Sequence, residues 1–318
     1  MNKQTEVINL EKLFLTGASG CVGHYLLDEL AGNYELYMIV RNPAKLRFEP
    51  AALPAVHLIP DDLENISSHA ELLSQMDFCI HAATSWGGDA AERINVQRTH
   101  KLFSLLSPSR IKRVIYFSTA SVLGNGNRLL PEAGSLGTDY VKSKYNCYRS
   151  LSQSPVAEKT VTVFPTLVFG GDSKHPASHL SSGLPAARRY SRLLGHLNID
   201  AAFHFIHAQD IARIVAHLLQ MENPAPNYVL GNAPLSFREF VTRTAKYFGH
   251  NPHWQITFSP KWLYRLGTVL GAKMSPWDRF CLEYKDFRYQ TVNCHTFNLP
   301  TKYSTVEEVL GDWHLIPC

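Results

Sequence analysis

Three glycines at three-residue spacing, set directly after an apolar run, constrain this chain more than any other feature. The stretch Leu13-Phe-Leu-Thr-Gly17-Ala-Ser-Gly20-Cys-Val-Gly23 reads as a strand, a glycine turn and a helix that opens near Val22. Each glycine has its own physical role: one makes a tight turn, one lets the backbone approach a pyrophosphate, and one lets the helix pack closely on the strand. A phosphate placed there meets the free N–H groups and the positive end of the helix. Gly17, Ser19, Gly20, Cys21, Val22 and Gly23 therefore form a candidate dinucleotide cradle.

The rest of the first half supports a sheet that such a turn could serve. Short apolar runs alternate with longer amphipathic segments, the pattern of repeated βαβ units. Strands are expected at Lys12–Leu15, Glu35–Val40, Ala55–Ile59, Phe78–His81, Val114–Ser118 and Thr160–Phe164, and helices at Val22–Ala31, Ser67–Leu73, Ala91–Leu106 and Tyr140–Leu151. After Phe169 a run rich in turn formers is followed by a helix-like segment carrying Arg188, Arg189 and Arg192. Phe203–Leu219 then returns to a strand and a helix, ahead of Phe237–Phe248 and an aromatic tail with Trp254, Trp262, Trp277 and Trp313. The expected fold is α/β, a doubly wound parallel Rossmann sheet with a smaller, discontinuous C-terminal substrate domain. Residues 1–169 and 203–231 would bind the dinucleotide, and 170–202 and 232–318 the substrate.

Composition excludes several function classes. A formal charge of +4, from 31 basic and 27 acidic residues, is too small a footprint for nucleic acid. The N-terminal stretch has no secretory signal, and no later run approaches the ~18 apolar residues of a membrane span, so a soluble, cytoplasmic protein is expected. Six scattered cysteines without a CxxC pair, and fifteen histidines without HExxH, indicate neither a disulfide framework nor a metal site. The expected partner is a small molecule, bound by a monomer or a homodimer.

Two features speak to chemistry. At the end of the second strand, Met38-Ile-Val-Arg41-Asn-Pro-Ala-Lys45 has no carboxylate to hold a ribose 2′-OH. Arg41 instead suits a 2′-phosphate, which favours NADP(H) with NAD(H) as the alternative. Further on, Tyr140-Val-Lys-Ser-Lys144 sets a phenol and an ammonium at i and i+4 on one helix face. A free phenol, of pKa about 10, is a poor base at neutral pH, and a neighbouring cation favours its ionised form. Tyr140 is thus a candidate acid/base and Lys144 its electrostatic partner. The strand Val114–Ser118 runs into Thr119-Ala-Ser121, which delivers hydroxyls at the carboxyl end of a parallel strand, where ligands bind in such sheets.

In order along its first 230 or so residues, the chain resembles the extended short-chain dehydrogenases/reductases, a family of the NAD-dependent epimerase/dehydratase type. TGASGCVG is similar to the family's TGxxGxxG, Asp61-Asp62-Leu63 to its Asp-Leu pair near adenine, His81-Ala82-Ala83 to its HxA motif, and Asn95-Val-Gln-Arg-Thr99 to a helix opening. Ser118-Thr-Ala-Ser-Val-Leu-Gly124, Tyr140 with Lys144, Pro165 with Val168-Phe-Gly170, and Phe205-Ile-His207-Ala-Gln-Asp210 continue the match. The resemblance implies cofactor contacts at Asp62, Leu63, His81, Ala82, Ala83, Tyr140, Lys144, Pro165 and Val168, and gives Thr119 the place of the hydroxyl that orients the reacting oxygen. Ser121 competes for that place. Leu123 departs from the Tyr often found before the glycine, which bears on substrate contacts.

The substrate is less legible. Trp86, Ser121 and His207 are candidate substrate residues; the alternative for Trp86 is a place in the core. The arginines at 188, 189 and 192 would either hold an anion or form a solvated helix face. Pro260-Lys-Trp-Leu-Tyr-Arg-Leu-Gly267 loosely resembles the sterol-dehydrogenase and dihydroflavonol-reductase branch. The leading expectation is hydride transfer between NADP(H) and a carbonyl or secondary alcohol of a small metabolite with an apolar body. Two alternatives stand beside it: a nucleotide-sugar epimerase or dehydratase that recycles NAD(+) internally, and a non-catalytic cofactor-binding assembly or regulatory protein.

Overall fold

The computed structural model describes residues 10–50, 53, 55–259, 262, 274–285 and 287–312. Its centre is a seven-stranded sheet of β1 (Lys12–Thr16), β2 (Glu35–Ile39), β3 (Val56–Ile59), β4 (Phe78–His81), β5 (Arg113–Phe117), β6 (Thr160–Pro165) and β7 (Asn227–Leu230). The strand order is β7-β6-β5-β4-β1-β2-β3, and every pairing is parallel. Chain order reverses between β1 and β4. That crevice, at the carboxyl ends of the strands, is where a doubly wound sheet receives a ligand.

Strands buried on both faces need apolar residues at consecutive positions. In β1 the two faces separate by alternation: Leu13 and Leu15 enter one core and Phe14 the other, all fully buried. The first core is closed by α1 (Cys21–Leu30), whose Leu26, Leu27 and Leu30 pack beside Leu36, Met38 and Ile80. The second is closed by α2 (Thr99–Leu105) and α3 (Asp139–Ser150), through Leu102, Phe103 and Cys147. Each Leu or Phe so buried contributes roughly 1.5–3 kcal/mol. Beyond the sheet, α4 (Leu184–Leu194), α5 (Ala208–Gln220) and α6 (Phe237–Tyr247) follow. A smaller core of Phe169, Leu184, Phe205, Leu235, Phe248 and Leu310 gathers the later elements.

The expected strands fall within one residue of the observed ones. Three features differ. The strand expected from Phe203 forms as Phe205–His207 but pairs with Leu167–Phe169 outside the main sheet, while the seventh place goes to Asn227–Leu230. The helix expected over 91–106 is continuous in path yet changes pitch, from α-helix at Asp89–Glu92 through a π-helical turn at Arg93–Arg98 into α2. Within Ser67–Leu73, only the end is α-helical, since Leu63–His69 is a 3₁₀ run. Of the segment Pro260–Gly267, only Trp262 lies within the described residues, and Trp313 lies outside them.

Candidate active site

The glycine turn is built as its sequence requires. Gly17 sits at φ +83°, and a Cβ there would lie 2.7 Å from the Ala82 carbonyl carbon and the Ala83 nitrogen. A Cβ on Gly23 would stand 2.1 Å from the Gly17 carbonyl oxygen. Gly20 is exposed at the N-cap of α1 and, having no side chain, leaves the approach to the first turn open. These are the properties of an anion cradle, and the residues fit a dinucleotide pyrophosphate.

Beneath the cradle runs a buried chain of hydrogen bonds. Thr16 Oγ1 accepts from the Ala83 amide at 3.1 Å and lies 2.8 Å from His81 Nδ1. His81 Nε2 lies 2.8 Å from Thr99 Oγ1, which donates to the Asn95 carbonyl at 2.9 Å. His81 is fully buried, and burial, with the charge of Lys144 acting in the same sense, pushes it down to about 3. The imidazole is therefore neutral at all working pH values and ties β1, β4 and α2 together. The His81 side chain is thus taken up inside the protein, while Ala82 and Ala83, partly exposed, border the glycine turn. At the adenine end, Arg41 is 78% exposed with its Nε 3.7 Å from Asp62 Oδ2. Asp62 caps the 3₁₀ run by accepting from the Glu64 amide at 3.0 Å, and Leu63 is buried.

On the other side of the crevice, α3 starts with Thr138 as N-cap and carries Tyr140 and Lys144 toward the end of β5. Lys144 is 2% exposed; its Nζ donates to the Phe117 carbonyl at 2.7 Å and lies 5.1 Å from the centre of the Tyr116 ring. Desolvation lowers it to about 8. Burial pushes the Tyr140 phenol up to about 12, with the Thr119 hydroxyl acting in the opposite sense. The expectation that Lys144 would draw Tyr140 toward ionisation is not met, because the ammonium is directed at a backbone carbonyl. Thr119 Oγ1 accepts from the Ser121 amide at 3.3 Å, and the two hydroxyls are 3.3 Å apart. Next to them the buried Ser118 hydroxyl, just past the carboxyl end of β5, has no partner among the described residues.

Trp86 joins this cluster rather than the core. It is 67% exposed and stacks on Tyr140 with ring centres 4.6 Å apart and planes 28° apart. Its loop is held by residues to which the sequence alone assigns no individual role. Asn95 Oδ1 accepts from the Ser85 amide at 2.7 Å, while its Nδ2 donates to the Ser85 carbonyl at 2.8 Å and to Ser143 Oγ at 2.9 Å. Asp139 accepts from the Gly88 amide at 3.0 Å. The one signal for Asn95 is its place in Asn95-Val-Gln-Arg-Thr99, which falls on the π-helical turn, a feature frequent at functional sites.

Other expected residues lie apart or in supporting positions. Pro165 ends β6 and Val168 follows in the short strand, its carbonyl accepting from Ser178 Oγ at 2.7 Å. His207 is 1% exposed, caps α5 and stacks on Tyr303 at 3.6 Å, so it has no surface to offer a substrate. Arg188 and Arg189 line a cavity of about 330 Å³ with Pro185, Ser191, Phe248 and His250, which shares no residue with the Tyr140 cluster. No described helix is long and apolar enough to cross a membrane.

Comparison with known proteins places this geometry among relatives. The family model described as "NAD dependent epimerase/dehydratase family" matches residues 13–231. A 4-hydroxy-2-methyl-3-oxo-4-farnesyl-3,4-dihydroquinoline-1-oxide ketoreductase of Stigmatella aurantiaca is 24% identical over 251 residues, covering 73% of this chain and 71% of that protein. Among solved structures, the terminal R domain of the myxalamid PKS-NRPS biosynthetic pathway superposes with TM-score 0.70 at 16% identity, over 96% of this chain and 90% of that one. The Bordetella bronchiseptica enzyme WbmG in complex with NAD superposes with TM-score 0.61 at 16% identity, over 91% of this chain and all (100%) of that one.

Proposed function

Starting from the premise that this chain belongs to the NAD-dependent epimerase/dehydratase family and is an NAD(P)-dependent enzyme of the short-chain dehydrogenase/reductase type, we propose that it reduces a free ketone or aldehyde with NADPH. The observation that carries this reading is the placement of Tyr140 on the first turn of α3, stacked under Trp86 in the Thr119 cluster, where burial pushes its phenol up to about 12 so that it keeps its proton at neutral pH. Such a group is a proton donor. It serves reduction, in which a carbonyl oxygen must be protonated, more directly than oxidation, which needs a base.

The Gly17–Gly23 turn would hold the cofactor, which would supply the hydride to the carbonyl carbon. Thr119 and Tyr140 hold the carbonyl oxygen of the substrate between their hydroxyls. As that oxygen gains negative charge, the Tyr140 O–H bond breaks and the proton passes to it, completing the alcohol. The phenolate left behind regains its proton from solvent, and Lys144, held by the Phe117 carbonyl, is placed to donate to the ribose of the cofactor. Arg41, largely exposed and only loosely engaged by Asp62, is free to swing onto a 2′-phosphate, which supports the choice of NADPH. His179, in the segment 170–202 assigned to the substrate, stands 6.0 Å from the Trp86 ring. The ketoreductase relative supports a carbonyl substrate.

A panel of ketones and aldehydes incubated with NADPH tests this reading through net consumption of the reduced cofactor. Stoichiometric consumption is expected with at least one member. Conversion of a nucleotide sugar with tightly retained NAD and no net change in cofactor would make the protein an epimerase instead.

A further inference from the structure

We infer that Trp86 selects the substrate: stacked on Tyr140, its indole offers a platform for a planar, uncharged aromatic ring that carries the carbonyl. This rests on the reading of Tyr140 as proton donor and adds to it the chemical class of what is reduced.

A tryptophan left two-thirds exposed contributes little to the fold, yet this one is held in place from three directions. Asn95 binds both the amide and the carbonyl of Ser85, the residue before it. Asp139, the residue before Tyr140, fixes the Gly88 amide two residues after it, where the backbone turns at φ +69°. Asn95 also reaches Ser143, one turn along α3 from Tyr140, so loop and helix are fastened as a unit. The stack of Trp86 on Tyr140 is therefore preorganised, and a ligand that extends it loses little freedom in ordering the protein.

The geometry also restricts the ligand. One indole face is covered by Tyr140, and the His179 ring stands 6.0 Å away at 30° to the indole plane. The indole, within 28° of the Tyr140 plane and 30° of the His179 plane, favours another flat π-system in offset stacking over a puckered ring of equal area. The Asn95 and Ser143 side chains that fasten the loop are uncharged, and the Asp139 carboxylate held on the Gly88 amide would repel an anionic ring.

The test uses two methyl ketones of matched size, 2-acetylnaphthalene and its fully saturated decalin counterpart. In the wild-type enzyme, kcat/KM with NADPH is expected to favour the naphthyl ketone by about tenfold or more, a stacking-sized preference. Trp86→Leu should bring the ratio close to one, mainly through KM, and Trp86→Phe should restore most of it. A second readout needs no turnover: in Tyr140→Phe protein with NADPH, binding of 2-acetylnaphthalene should weaken about tenfold on adding Trp86→Leu. An unchanged ratio in Trp86→Leu, equal loss for both ketones, or unchanged binding in the double variant would overturn the inference. Full turnover by Tyr140→Phe would instead overturn the proton-donor reading, and the binding titration would still decide the role of Trp86.

Discussion

Tyr140 and Lys144 sit four residues apart, yet their surroundings push them in different ways. Burial raises the phenol to about 12 and lowers the ammonium to about 8, so at neutral pH both carry their protons. The first group to lose its proton as pH rises is therefore Lys144. If Lys144 holds the cofactor's ribose as proposed, the rate of carbonyl reduction at subsaturating NADPH should be level near neutrality and fall as pH rises through about 8. In Lys144→Met that alkaline limb should vanish along with most of the activity; a limb that persists in the variant would assign it to another group. Arg41 makes a separate prediction at the other end of the crevice. With its guanidinium 78% exposed and 3.7 Å from Asp62, its removal should leave the fold intact. Arg41→Ala should weaken NADPH by about tenfold or more, the worth of a charge-assisted contact, and NADH hardly at all. Equal loss for the two cofactors, measured by titration, would dismiss Arg41 as the discriminator.

Between elements, the segment after the short strand Leu167–Phe169 is clamped to α1 by His175. Its Nε2 lies 2.7 Å from Asp28 and its Nδ1 2.8 Å from Asp172, with the ring stacked on Tyr25 at 3.8 Å. Arg47 adds bonds to the carbonyls of Asp172 and His175, each at 3.0 Å. Although burial alone would lower His175, the two carboxylates outweigh it and raise the imidazole above its ordinary value. Asp172 moves the other way: burial would raise it, but its bonds to His175 and to the loop amides lower it on balance. A raised histidine stabilises the fold below its unfolded value and loses that contribution as pH rises through the folded one; the lowered Asp172 loses its contribution only as pH falls. The melting temperature of the wild type should therefore exceed that of His175→Gln by about 2 °C near pH 6, and the gap should close toward about pH 9. A gap that widens with pH would reverse the assignment. The strands and the glycine turn are legible in the sequence because each rests on local rules, apolar runs and a backbone that tolerates no Cβ at Gly17 or Gly23. The His175 clamp is not, since its partner Asp28 is far away in the chain, nor is the hold of Asn95 on Ser85 and Ser143. The motifs also suggest more freedom for His81 and His207 than the two residues have, since burial cannot be read from a motif letter. The direction of Lys144 toward Phe117, against the expectation from i,i+4 spacing, depends on where β5 ends and lies beyond any helical rule.

At the scale of the whole molecule, the reversal of strand order between β1 and β4 decides where chemistry can occur. It opens the crevice whose two sides are the Gly17–Gly23 turn and the start of α3, and it explains why residues from β1, β4, β5 and α3 converge although they span the first half of the chain. The later half adds a second, smaller core around Phe169, Phe205 and Phe248, together with the basic cavity at Arg188 and Arg189 that stands apart from Tyr140. Under the proposed carbonyl reduction, the cofactor is held by the Gly17–Gly23 turn and Arg41 and the proton is delivered by Tyr140, so the two functions should separate cleanly. The direct measurement is Tyr140→Phe assayed for NADPH binding and for carbonyl-dependent NADPH oxidation in one preparation. NADPH affinity should stay within about twofold of wild type while turnover falls by about 10²–10⁴, the range of general acid catalysis. Wild-type turnover in Tyr140→Phe would contradict the role of Tyr140 as proton donor.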